Sequence, residues 1–434
     1  MKIVQIDSES TIDEVARIPV RPIGLGRAIE AIPSSHIQRA QTETATFTAV
    51  EYPDICAPNA GPDVMGSVAQ RILRSVIRAG TSRRFRSFGY VVPRVPVMSP
   101  GPHSALLVPG LATGIGSLPH LDPEAAVRVS LAETPRLPFA PQLPNRSPRE
   151  GMIAEWVVAL PEVEVADDGS LSIDSSLIGE APTPSLNPDS HSGLLAFLEA
   201  LRVAPENPKR IKLQVTGPLT LGIALEAAGL PSDVAFRRAG EVSRAWVQHL
   251  EALVTARFPA TGLLLFIDEP ALVRWRHGDE PIGRDEAIDL LSGTLAVANC
   301  ITGVHVCGDG DARLAHAAGP DVLGITASDS ALEDADVLMR HLEADGWIAW
   351  GAVPTDRPVG DSTEGPWRRL VGLWCELTRR GCDPVRVRTH GLVTPACGLA
   401  GHGEAQAAHA LHIASEMADR IGDQAVAARL TVGA

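Results

Sequence analysis

From residue 104 onward the chain repeats one pattern: a short apolar run rich in Val, Ile and Leu, then an amphipathic stretch long enough for a helix. Apolar runs of this kind fit strands buried on both faces, which are parallel strands covered by helices. Eight runs are present, at Ala112–Pro119, Leu137–Leu143, Ile211–Gly217, Leu263–Pro270, Thr302–Gly308, Val322–Ser328, Trp347–Pro354 and Gly391–Gly398. Helix signals fall between them. Asp122 before Pro123 offers an N-cap with Pro at N1, and Ser232 is placed to cap a stretch reaching Arg257, with Phe236, Val242, Trp246 and Leu250 on one face. A last helix is expected near Gly403 to Leu430. The long gap between the second and third runs holds an alternating segment, 163–173, around Asp168-Gly169, which predicts an inserted hairpin. Eight strand and helix units in about 330 residues predict an α/β fold of the (β/α)8 TIM-barrel type, with a doubly wound open sheet as the alternative.

Residues 1–103 read differently. They carry a net charge of +3 against −17 for the remainder, hold both tyrosines and none of the seven tryptophans, and show weak periodicity outside Val68 to Ile77. A Pro-rich stretch from Pro93 to Pro109 closes them, as a linker would. The expected organisation is an irregular N-terminal extension, 1–103, poorly ordered or loosely docked, followed by the barrel, 104–434. The alternative for the extension is a small accessory element whose Arg83, Arg84 and Arg86 bind an anion.

The formal charge of −14 is opposite in sign to the footprint of a nucleic-acid or anionic-membrane binder, so neither partner is expected. No window approaches the roughly 18 apolar residues of a membrane span, and Met1 to Val15 carries Asp7, Glu9, Asp13 and Glu14 in place of a basic and then apolar leader. A cytoplasmic location is expected. Six cysteines (Cys56, Cys300, Cys307, Cys375, Cys382 and Cys397) are too sparse for a disulfide scaffold, which leaves metal binding or burial for each.

In a barrel the chemistry lies at the carboxyl ends of the strands, and the unusual residues of this sequence lie there. The fifth run ends in His305-Val-Cys307, whose spacing puts both side chains on one face of an extended strand. The eighth ends in Thr394-Pro-Ala-Cys397. One imidazole and two thiolates make a Zn2+ site with a fourth position open, the catalytic pattern. Cys300, Cys375 and Cys382 read as buried thiols on helices or helix ends. The fourth run ends in Asp268-Glu269 after five apolar residues; an acid there is costly unless bound to something, so Asp268 is expected to face a ligand. A helix cap or an ion pair with Arg274 or Arg276 is the alternative for this pair. Gly114, Gly116 and Ser117 in the first run suit close approach of a ligand to the backbone.

As an ordered set, Gly114-Ile-Gly-Ser-Leu-Pro-His120, Val215-Thr-Gly-Pro218, Ile267-Asp-Glu-Pro-Ala-Leu272, His305-Val-Cys307 and Thr394-Pro-Ala-Cys-Gly-Leu399 resemble the catalytic half of the cobalamin-independent methionine synthase family. Uroporphyrinogen decarboxylase and the zinc alkyltransferases acting on coenzyme M belong to the same superfamily. The resemblance covers roughly residues 108–434 and implies a (β/α)8 barrel whose zinc binds a thiol substrate. It implies zinc ligation by His305, Cys307 and Cys397, a hold on the substrate's amino-acid part by Gly116 and Ser117, and an acidic contact to its amino group from Asp268 with Glu269 beside it. Three positions depart from the family pattern. A glutamate ligand is replaced at Thr326 with Asp329 nearby, a proton-transfer histidine at Asp356, and a substrate-binding glutamate at Arg146, which would favour an anionic end on the substrate. The implied activity is zinc-dependent methyl or alkyl transfer to a small thiol such as homocysteine. The family's donor is methyl-folate; because the chain has no room for the second, N-terminal barrel that helps to bind the folate, a donor other than the folate polyglutamate, such as a methylated corrinoid protein, is the other expectation. A non-catalytic zinc and thiol-binding barrel and a decarboxylase of the uroporphyrinogen type are the alternatives.

Overall fold

The structure is a computed structural model that describes residues 3–6, 47–50 and 107–432. The chain divides into two compact units, Met1–Ser99 and Pro100–Ala434. In the first, β1 (Ile3–Ile6) pairs antiparallel with β2 (Phe47–Val50). Cys56, the Val68 to Ile77 periodicity and Arg83, Arg84 and Arg86 lie outside the described residues.

The second unit follows the expected alternation. Its strands are β3 (Leu111–Ala112), a hairpin of β4 (Val163–Val165) and β5 (Leu171–Ile173), then β6 (Arg210–Thr216), β7 (Gly262–Asp268), β8 (Ile301–Val306), β9 (Val322–Thr326), β10 (Trp347–Val353) and β11 (Gly391–Pro395). Its helices are α1 (Pro123–Glu133), α2 (Ala154–Val157), α3 (Ser192–Val203), α4 (Pro218–Ala227), α5 (Ser232–Arg257), α6 (Leu272–Arg276), α7 (Arg284–Leu295), α8 (Ala312–Ala317), α9 (Ser330–Glu333), α10 (Ala335–Glu343), α11 (Glu364–Arg379), α12 (Arg386–Thr389) and α13 (Glu404–Val432). Asp122 caps α1 by accepting from the Glu124 amide at 3.0 Å, with Pro123 at N1. Ser232 is itself the first residue of α5; Pro231 takes the cap position and no side chain caps this helix. The face of α5 carrying Phe236, Val242, Trp246 and Leu250 is buried.

Seven strands form one curled parallel sheet in the order β3-β11-β10-β9-β8-β7-β6. The second expected strand does not join this ladder. Its run, 137–143, contains Pro138 and Pro141, which have no backbone N–H to donate, and a strand with two such gaps cannot sustain a central ladder. It makes isolated parallel bridges instead, Phe139 with Lys212 on one side and Gln142 with Ser117 on the other. The closed eight-stranded ring is thus not formed as a continuous ladder, and the seam lies between β3 and β6. The first run is shortened for a related reason: a Cβ at Gly114 would sit 2.3 Å from the Phe139 ring, so the chain leaves the strand where that ring comes in.

Two cores follow from this architecture. One lies between the sheet and its helices; the smaller fills the inside of the curl with Leu107, Leu111, Leu137, Leu264, Phe266, Ile301, Val322, Ala349 and Leu392, toward the amino ends of the strands. Above this apolar plug the inward positions become polar. The predicted hairpin is present, and its base is tied to α5 by a buried ion pair in which Arg238 donates to Glu162 at 2.5 and 2.8 Å and to the Glu180 carbonyl at 2.7 Å. No helix among the described residues is long and apolar enough to cross a membrane.

Candidate metal centre

Alternation along each strand decides which side chains enter the curl. On β7, Leu264, Phe266 and Asp268 point inward; on β8, Ile301, Gly303, His305 and then Cys307 just beyond the strand; on β9, Val322, Gly324 and Thr326. The glycines make room, since a Cβ at Gly303 would lie 2.7 Å from the Phe266 ring. Asp268 is in register with His305, and His305 with Gly324. Cys397 comes in from the loop after β11. His305, Cys307 and Cys397 thereby offer three ligand atoms that all lie within 4.8 Å of one another.

The two sulfurs are 2.9 Å apart, in hydrogen-bond contact between unbridged cysteines. The Cys397 thiol is pulled down to about 4, first by the hydrogen bond to Cys307 and then by His305, while Cys307 is pushed far up because it keeps the shared proton. His305 is buried, and its Nε2 has no hydrogen-bond partner. An imidazole and two thiols whose ligand atoms lie this close are a donor set suited to zinc, three protein ligands leaving one tetrahedral position over. Thr326, on the same inner face, has a buried Oγ1 without a partner, whereas Asp329 is exposed at the cap position of α9.

Asp268 lies beside this cluster. It is buried, its Oδ1 has no partner, and burial pushes its carboxyl up, against the pull of Lys212 and His305. Glu269 points the other way. Its carboxylate accepts from the Leu219 and Thr220 amides at 2.8 and 2.9 Å and from Thr220 Oγ1 at 2.6 Å, so it caps α4 and is not available to a ligand. This is the capping role that the sequence left open as the alternative for this pair of acids. Burial pushes this carboxyl up to about 7.

Gly116 and Ser117 sit against the same loops. Gly116 has φ of +153°, and a Cβ there would come within 2.8 Å of the Gln214 amide and 2.9 Å of Gln142 Oε1. Ser117 Oγ fills the space a Cβ on Gly398 would need, next to Cys397, and the Ser117 carbonyl accepts from the Leu399 amide at 2.9 Å. Arg146 is committed locally: it pairs with Glu150 four residues on, and Glu150 also accepts from Ser192 Oγ at the start of α3. Asp356 is on an exposed loop, 3.3 Å from Arg357 Nε, and two imidazoles reach that loop, His402 bonding the Thr355 carbonyl and His409 the Gly360 carbonyl, each at 3.1 Å.

Two buried groups escaped the sequence reading. Glu155, between the second run and α3, bonds Gln142 Nε2 and is pushed well up by burial, with Glu150 and Asp268 adding to the effect. Lys212 on β6 is fully buried inside the curl and is pulled down to about 8 by burial, opposed by Asp268. The signal for Lys212 was present. In Ile211-Lys-Leu-Gln-Val-Thr216 every second residue is polar, which marks one polar face of a strand otherwise taken as an apolar run.

No family model matches the chain, and no curated protein matches it. Among solved structures it is similar to a B12-independent methionine synthase from Shewanella sp. W3-18-1 in complex with selenomethionine, at a TM-score of 0.51 and 14% identity over 74% of this chain and 99% of the other. A methyltransferase from Methanosarcina mazei aligns at a TM-score of 0.49 and 15% identity, over 72% of this chain and 96% of the other. At these identities the first likeness is one of fold.

Proposed function

We propose that the chain is a zinc enzyme that transfers a methyl or other alkyl group to a small thiol, with homocysteine as the first substrate to test. The observation that carries this reading is the convergence of His305, Cys307 and Cys397 at two strand ends, with their ligand atoms within 4.8 Å of one another, the two sulfurs 2.9 Å apart and the buried His305 Nε2 without a partner. These three side chains would hold the zinc, which, when bound, supplies the Lewis acidity that keeps a thiol deprotonated near neutral pH. The fold it shares with a methionine synthase, and the bridges that bring 138–142 between β3 and β6, support a barrel-type site.

The remaining work falls to the chain's own residues. Asp268, with a free buried oxygen, is placed to meet a cationic group of the substrate, and Ser117 to orient the same end by hydrogen bonding. Glu155, whose carboxyl burial pushes well up, offers a second acidic group joined to the seam through Gln142. Arg146 is paired with Glu150 through one guanidinium nitrogen. A methyl donor, either methyl-folate or a methylated corrinoid protein, would approach from the open carboxyl side of the strands.

A non-catalytic thiol-binding role is favoured by one observation: Asp356, at the position the resemblance gives to proton transfer, points to solvent and pairs with Arg357. Metal analysis separates the readings in two stages. The proposal expects about one zinc per chain in protein purified without chelator and loss of that zinc in Cys397→Ser. Methylated homocysteine formed from either donor then establishes transfer; tight thiol binding with no product from both donors supports the binding role. A zinc-free wild-type protein overturns both.

A further inference from the structure

We propose that Lys212 is a positioning residue for the thiol's polar end: from inside the sheet it fixes the Ile115–Ser117 turn relative to the strand-end triad. The inference rests on the thiol site proposed above.

Lys212 is one of the largest fully buried side chains of the described residues. Its Nζ donates to the Ile115 carbonyl, 97 residues away in sequence, and to Gln214 Oε1 at 3.0 Å, with the Phe266 ring centroid 5.2 Å below. Both bonded oxygens are neutral. A leucine would fill this apolar layer without the cost of burying an amine, so packing alone does not account for the residue.

The peptide it holds is the one before Gly116. That glycine is pressed against Gln214, the second side chain bound to the amine, and Gln214 is in turn anchored by donating to the Ala140 carbonyl at 2.8 Å. One residue on, Ser117 touches Gly398 with its hydroxyl and Leu399 with its carbonyl. A continuous path of contacts therefore runs from Lys212 through Ile115 and Ser117 to Gly398, the neighbour of Cys397. This path crosses the seam between β3 and β6, the place where the sheet has isolated bridges and no ladder. Elsewhere continuous ladders set the spacing of the site; here the four backbone hydrogen bonds of the two bridges are joined by a direct side-chain link from β6 to the Ile115 carbonyl.

The test uses the full chain loaded with Co2+, whose thiolate absorption reports thiol binding directly. Lys212→Met keeps the length of the side chain and removes the donor. The variant is expected to hold one metal per chain, as wild type does, to bind L-homocysteine at least tenfold more weakly, and to bind ethanethiol, which has no polar end, within twofold of wild type. Equal weakening of the two thiols, or no weakening of either, overturns the proposal. Should Lys212→Met fail to fold, Gln214→Leu removes the second oxygen that holds the amine and carries the same comparison with the same selective loss expected. In a Ser117→Ala background Lys212→Met should add less than twofold, because the path ends at that serine; a further tenfold loss overturns it. A wild-type chain that binds no cobalt, or shows no spectral change with either thiol, overturns the thiol site itself and the inference with it.

Discussion

Asp268 and Glu269 are adjacent, both buried, and opposite in use. Glu269 has every oxygen occupied by donors of α4, whereas Asp268 Oδ1 is the one buried carboxylate oxygen among the described residues with no partner. A buried acceptor left open in a folded protein awaits a ligand or costs stability. Asp268→Asn is therefore expected to keep its metal and its fold, because an amide is cheaper to bury than a carboxylate, and to bind homocysteine at least tenfold more weakly, about 1.4 kcal/mol. Parallel metal analysis and thiol titration check this. Loss of metal with thiol affinity intact would refute the ligand-facing role.

At the scale of elements, the helix that Glu269 caps carries its own prediction. Gly217 at the cap position of α4 has no side chain to offer, and a Cβ there would lie 2.1 Å from Glu269 Oε1, so the glycine admits a cap from another strand end. Glu269→Ala would leave two buried amides and one hydroxyl without acceptors. The expected loss is about 2–4 kcal/mol, read as a lower urea midpoint, with Glu269→Gln losing less. An unchanged midpoint would show that water replaces the carboxylate.

The same elements show what the sequence made legible. Strand positions and the His305-Val-Cys307 face could be read because apolar runs and two-residue periodicity are direct consequences of backbone geometry. The failed strand at 137–143 was written in Pro138 and Pro141, yet its apolar content outweighed them. The local commitment of Arg146 to Glu150 was not readable from their spacing, because the turn and short 3-10 segment at Pro148–Glu150, not an α-helix, bring the two together. Nor was Glu155, because its meaning depends on Gln142 and Asp268, which only the fold brings together.

Across the whole molecule, buried histidines and buried carboxyls pull stability in opposite directions with pH. His191 packs between Trp156 and Trp246, and His341 bonds the Trp347 carbonyl at 3.0 Å; burial draws each down to about 4. An imidazole in the unfolded chain titrates near 6.5. Between about pH 6.5 and 4 the unfolded state takes up protons that these two sites refuse, so their contribution is complete above 6.5 and is lost as pH falls toward 4. Glu269, pushed up to about 7, has the opposite sign: its folded form holds a proton that the unfolded chain releases near 4.5, and its contribution is lost as pH rises through 7. The wild-type curve therefore combines rising and falling parts over one window, and the separate contributions emerge only in differences between variants. His341→Gln should gain on wild type as pH drops from 7 to 4.5, by up to about 3 kcal/mol, while Glu269→Gln should gain as pH rises across the same interval. Urea unfolding at several pH values measures both. If the difference between His341→Gln and wild type is the same at pH 7 and pH 4.5, the histidine is not held neutral by burial, and acid sensitivity must come from elsewhere in the fold.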